Sequence, residues 1–209
     1  MNIIEKLEWR YAVKKFDPTR KLTAEQLNRL LAATRLSASS YGLQPYKILV
    51  IEDPEVREKL KAASNNQSQI TDASQLLVFA RHADLGNKHV DAYMQNIANT
   101  RNIPLESLAG FSGMMKQVVG QLDETGTAVW TSKQAYLALG TLLAAAAVEG
   151  IDTCPMEGFN AAQYDDILEL KEKGLSAVVI AAIGFRASDD KMQHARKVRK
   201  SLDDLVEII

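Results

Sequence analysis

Few side chains in this 209-residue sequence are typed and spaced for chemistry. Arg10 and Lys14 stand four apart near the start, and Lys197 and Arg199 stand two apart near the end. Such cations suit a phosphate, because charge-assisted N–H donors and the guanidinium fork match its oxygens. The bland alternative is a solvated charged surface, and spacing alone favours it. Cys154 is the one cysteine; with no base near it in sequence, it reads as a small packed residue. His82, His89 and His194 lack metal-ligand spacing and read as surface residues. The Gly-rich phosphate loops and the Gly-x-Ser-x-Gly elbow are missing. What remains is Cys154-Pro155-Met156-Glu157-Gly158-Phe159, which reads as a punctuated turn. Irregular backbone must be exposed or line a cavity, and Pro155 and Gly158 let it approach something closely.

The elements that must position these groups follow from periodicity and caps. Ile3, Ile4 and Leu7 indicate a short amphipathic helix, and Arg10 to Asp17 connects it to the next. Thr23 with Gln26 forms a capping-box pattern for a helix ending near Leu36. Ser37 to Gly42 is a small-residue loop, and Tyr46 to Ile51 a strand. Asp53-Pro54 starts a helix to about Ala63, Leu76 to Ala80 is a second strand, and helices cover Asp84 to Asn102 and Leu105 to Leu122, with Pro104 the break. An Ala- and Leu-rich buried helix runs through Gln134 to Glu149 and stops at Gly150. Asn160 caps a helix to Gly174, and Leu175 to Phe185 suits a central strand. Helices and a few strands in irregular order indicate an α+β sandwich in one domain spanning residues 1–209.

Composition narrows the classes. A formal net charge of −1 and a pI near 6.3 do not support a nucleic-acid or anionic-membrane partner. One cysteine allows no intrachain disulfide, the N-terminus lacks a signal-peptide core, and the apolar run from Ala135 to Val148 is too short to cross a bilayer. A cytoplasmic protein is expected.

Trp9 to Asp17, Ser37 to Ser40 with Gln44-Pro45, Asn66, Asp72 to Ser74, Pro155 to Phe159 and Lys197 to Arg199 occur in an order that resembles the FMN-dependent nitroreductase family. The resemblance covers essentially the whole chain and is closest to the oxygen-insensitive nitroreductase and dihydropteridine reductase branch. It implies a mixed, mainly antiparallel sheet flanked by helices, in an intertwined homodimer with FMN at the subunit interface. By the same resemblance, Arg10 and Lys14 meet the flavin's phosphate, ribityl and pyrimidine side, Tyr11 and Ala12 pack close, and Lys197 and Arg199 clamp the phosphate. Pro155, Met156, Glu157 and Gly158 pass along the ring edge, with the Glu157 and Gly158 amides at N5 and O4. Ser39 and Ser40, with Gln44, come from the other subunit, Ser37 is a further cofactor-binding residue, and Asn66 meets the pyrimidine edge.

Gln69 stands where that branch carries a lysine, so one positive charge near the ring is absent. The gating aromatic is replaced around Met114-Met115-Lys116, leaving Phe111 the nearest ring. The implied activity is NADH- or NADPH-driven reduction of nitroaromatics, quinones or a related small-molecule acceptor, with no catalytic side chain and no metal. A flavin- or pterin-directed reductase, or a flavin binder with little turnover, remains the alternative.

Overall fold

The computed structural model describes residues 2–209. Local codes start most elements. Helix α1 (Ile3–Trp9) is capped by Asn2, and α2 (Ala24–Arg35) by the complete Thr23–Gln26 box. Strand β1 (Tyr46–Ile51) precedes α3 (Pro54–Ala62), whose first amides are taken up by the Asp53 carboxylate. The four-residue α4 (Gln69–Asp72) leads into β2 (Gln75–His82). Helices α5 (Asn87–Arg101) and α6 (Ala109–Gly120) are separated at Pro104, as their sequence requires.

Helix α7 (Glu124–Glu149) is longer than the apolar run at its core. It begins where Asp123 accepts a hydrogen bond from Gly126 N at 2.6 Å, and it ends at Gly150, whose φ of 69° suits a left-handed cap. Strand β3 (Asp152–Met156), α8 (Ala161–Ile167), β4 (Leu175–Gly184) and the short α9 (Leu202–Leu205) complete the chain. Helix α8 stops at Ile167 rather than Gly174. Glu169 turns left-handed (φ 54°), and the Asp165 carboxylate accepts Ala177 N at 2.7 Å, which ties the helix to the start of β4.

The sheet order is β1-β2-β4-β3, antiparallel at every strand pair. Leu76, Val78 and Ala80 of β2 face one core with Leu60 of α3 and Tyr164 of α8; Leu77 and Phe79 face a second core with Leu30 of α2 and Leu142 of α7. Both faces are covered, which is why β2 and β4 read as unbroken apolar runs. A bulge between Phe79 and Ala80 leaves Val178 unpaired, so Ala177 and Ile180 of β4 lie on the same face. Val90, Met94 and Ile97 of α5 form a third core with Met115 and Val119 of α6. Among the described residues no helix is long and apolar enough to cross a membrane.

The sequence expectation of a turn at Cys154 needs correction. Cys154, Pro155 and Met156 are the end of edge strand β3, paired with Ala182, Ala181 and Ile180 of β4. Proline fits there because an edge strand does not need every amide proton. The turn begins at Glu157.

Candidate functional site

The two ends of the chain meet along the free edge of β3. Ala12 forms an isolated parallel bridge with Thr153, Val13 N donating to Thr153 O at 3.2 Å, and buried Val13 and Phe16 anchor the segment. The chain leaving β4 runs beside it: Asp17 N donates to Phe185 O at 2.8 Å and Ala187 N to Lys15 O at 2.9 Å. Lys197 then returns over α1, its ammonium donating to Leu7 O at 2.5 Å and to Arg10 O. Between these strands of chain lies a cleft of about 530 Å³, lined among others by Arg10, Tyr11, Ala12, Pro155, Lys197 and Arg199.

The cleft is electrostatically unbalanced. Burial, and then Arg199, lower the pKa of Arg10; burial, Arg10 and Arg199 lower that of Lys197. Arg10 Nε is buried without a hydrogen-bond partner. Among the described residues Glu8 is the one acid lining the cleft. Three cations crowded together with an orphaned guanidinium proton form an acceptor-poor site that a phosphate dianion would complete. Lys14 is exposed just beyond, its backbone N–H bonded to Asp190. Cys154 is 1% exposed, and burial pushes its thiol pKa up despite Lys14 and Arg10 nearby, so the packed reading of this residue holds.

At the end of β3 the Glu157–Gly158 turn is pinned on both sides. Tyr136 Oη on α7 donates to Glu157 Oε1 at 2.5 Å. Asn65 Nδ2 and Gln67 Nε2 both donate to Gly158 O, at 3.1 and 2.9 Å. A Cβ on Gly158 would stand 3.3 Å from Gln67 Nε2, so the backbone there is closely approached. Among the described residues no turn or loop hydrogen bond takes up the amide N–H of Glu157 or Gly158. Met156 is buried behind them.

The other expected residues fall into two groups. Asn66 is exposed in the left-handed region (φ 54°), next to Asn65 (φ 53°), on the loop that holds Gly158. Gln69 is 7% exposed at the start of α4. Ser37, Ser39, Ser40 and Gln44 are not part of the cleft; they are fixed around α2 and α7. Thr141 Oγ1 donates to Ser37 Oγ (3.0 Å), Ser40 N to Gln134 Oε1 (2.8 Å), and Gln44 N to Ser39 Oγ (3.0 Å). Tyr41 (φ 58°) and Gln44 (φ 48°) give this loop its own left-handed positions. Tyr41 stacks edge-on against Phe111 of α6 at 6.4 Å, and Met114 is exposed nearby in sequence while Met115 is buried.

Residue spacing missed several contacts. Asp190 accepts from Tyr11, Lys14 and Lys15, Tyr136 reaches Glu157, and Asn65 and Gln67 reach Gly158. The signal available for Asp190 was only its place as the last acid before a basic stretch. The histidines also need correction: His82 and His89 are half-buried with ring centroids 4.6 Å apart, because the end of β2 and the first turn of α5 fold back on each other. With Asp84 their ligand atoms lie within 4.8 Å of one another. His89 Nδ1, however, accepts from Gly86 N at 3.2 Å and Asp84 is paired with Lys88, so these groups serve the start of α5.

The family model described as "Nitroreductase family" matches residues 7–185. "Putative NAD(P)H nitroreductase SERP2086" of Staphylococcus epidermidis (strain ATCC 35984) is 34% identical, over 98% of this chain and 95% of its own length. Two solved structures share the fold. One, described as "putative nitroreductase ydfN" of Bacillus subtilis, has a TM-score of 0.88 at 22% identity, covering 99% of this chain and 98% of its own. The other, described as a "putative nitroreductase in complex with FMN" from Exiguobacterium sibiricum 255-15, has a TM-score of 0.86 at 18% identity, covering 100% and 98%.

Proposed function

Because this chain belongs to the nitroreductase family, we propose that it is an FMN-dependent NAD(P)H oxidoreductase reducing nitroaromatics, quinones or related small-molecule acceptors. The observation that carries the reading is the crowding of Arg10, Lys197 and Arg199 around a cleft that also holds Pro155, with Arg10 Nε unpartnered. Those three residues would hold the phosphate, and Tyr11 and Ala12 would pack beside it. When bound, FMN supplies hydride acceptance and donation at N5, so that NADH or NADPH and the acceptor use the site in turn. The chain's own part is binding and orientation: the amides of Glu157 and Gly158, which follow the cleft-lining Pro155, would face the ring edge, and Asn66 lies on the loop that holds the Gly158 carbonyl. Lys14 is the cation left for the pyrimidine side, since Gln69 carries no charge.

The site is completed by a second copy of the chain. Ser37, Ser39, Ser40 and Gln44 lie outside the cleft and would reach the partner's flavin. Apolar faces consistent with such a dimer are exposed on α1 (Ile3, Ile4, Leu7), on α7 (Val129, Leu137) and along the tail (Leu202, Leu205, Ile208). The test is direct. Purified protein should be yellow, or become so with added FMN, and should bleach anaerobically with a reduced nicotinamide. A colourless protein that does not take up FMN ends this reading, whereas FMN uptake without turnover over a nitro and quinone panel leaves a flavin binder.

A further inference from the structure

Tyr136 projects from the middle of α7, a 26-residue helix packed on the sheet, and its hydroxyl donates to Glu157 Oε1 at 2.5 Å. It is the one contact in which the Glu157 carboxylate appears among the described residues. The neighbouring Gly158 carbonyl is held by Asn65 and Gln67. The turn is therefore fixed from α7 at one residue and from the loop after α3 at the next, and between these anchors no hydrogen bond among the described residues takes up its two amide protons. An extended edge strand followed by a free turn would not hold such a direction by itself.

We propose that Tyr136 is a positioning residue of the flavin site: acting through the Glu157 carboxylate, it sets the direction of the Glu157 and Gly158 amides and offsets the carboxylate's charge at the ring edge. This rests on the flavin reading of the cleft. Burial and the carboxylate push the Tyr136 phenol up to about 12, so it stays a donor throughout the neutral range. A carboxylate held by such a donor presents less negative charge to a ring that gains electrons on reduction.

The test uses apoprotein of the wild type, Tyr136→Phe, Glu157→Gln and the double variant. FMN is titrated into each with flavin fluorescence as the readout, and the midpoint potential of each loaded protein is measured against a reference dye. Both substitutions preserve side-chain volume. Tyr136→Phe is expected to raise the Kd for FMN about 3- to 10-fold, the loss of one net hydrogen bond, and to lower the potential, because the carboxylate is left uncompensated. Glu157→Gln is expected to raise the potential. In the double variant the Tyr136 change should no longer shift the potential, since there is no charge left to offset, whereas its effect on Kd should persist, because the amide oxygen at position 157 still accepts from the tyrosine. Wild-type Kd and potential in Tyr136→Phe, or potential shifts that simply add in the double variant, overturn the proposal. A wild-type protein that binds no FMN overturns the flavin reading, and the proposal with it.

Discussion

The Tyr11 hydroxyl donates to Asp190 Oδ2 at 3.1 Å, joining residues 179 positions apart. The same oxygen accepts Lys14 N at 2.9 Å and Lys15 N at 3.2 Å, while Oδ1 accepts Met192 N at 3.0 Å. At 3% exposure, Asp190 is the buried staple that brings the N-terminal cations to the C-terminal ones. Burial opposes its charge, but the bonds from Lys14, Met192, Lys15 and Tyr11 prevail and hold its pKa below the usual carboxylate value.

Asp190→Ala is expected to cost about 2–3 kcal/mol of stability, since it removes a buried acceptor shared by several part-buried donors; urea denaturation measures it. The pH dependence has a definite sign. A carboxyl whose folded pKa lies below its unfolded one stabilises above the unfolded value of about 4 and loses that contribution as pH falls through the folded one. The wild type should therefore lose stability on acidification below about pH 4 by more than Asp190→Ala does.

Removing one cleft cation should weaken FMN selectively through its phosphate. Arg199→Ala or Lys197→Ala is expected to raise the Kd for FMN about tenfold, on the scale of one charge-assisted hydrogen bond. Binding of riboflavin, which has no phosphate, should change little. Fluorescence titrations with the two ligands separate these outcomes, and an equal loss for both would remove the phosphate from the cleft.

Gly158→Val should impair flavin binding without unfolding the protein. The new side chain meets Gln67 Nε2 and Asn65 Nδ2, the two donors that pin the Gly158 carbonyl, and displaces the turn. The expected result is at least a tenfold rise in Kd for FMN with a melting temperature close to wild type.

Gln69→Lys should raise the flavin midpoint potential, because a cation near the ring favours its reduced form. Position 69 is nearly buried, so the same lysine should lower the stability of the apoprotein, and FMN should restore part of it. An unchanged potential would show that residue 69 does not face the ring.

Truncation after Lys200 removes the exposed Leu202, Leu205, Val206, Ile208 and Ile209. If the tail covers a neighbouring copy, light scattering should show a dimer for the full chain and a concentration-dependent monomer for the truncated one. A stable truncated dimer would leave the interface to α1 and α7.

Much of the fold was written locally. The Thr23–Gln26 box, the Asp53-Pro54 start, the Pro104 break and the Gly150 stop each depend on residues within one helical turn, so they appear where their residue types predict. Strands β2 and β4 were legible because sheet burial on both faces demands unbroken apolar runs, and β1 because its half-buried edge is still largely apolar. The segment at Cys154 misled because proline and glycine mark turns in general, whereas Pro155 occupies a sheet edge that only the strand order reveals.

The residue types of the site, two basic groups and the Pro155–Gly158 segment, were fixed along the chain itself. Their assembly was not. The Asp190 staple, the Lys197 ammonium on the Arg10 carbonyl and the Tyr136 hydroxyl on Glu157 each join residues from different elements. A capping interaction has its partner within reach of the same turn of backbone, but these partners meet only after the sheet has brought distant segments together, and no local periodicity encodes that meeting.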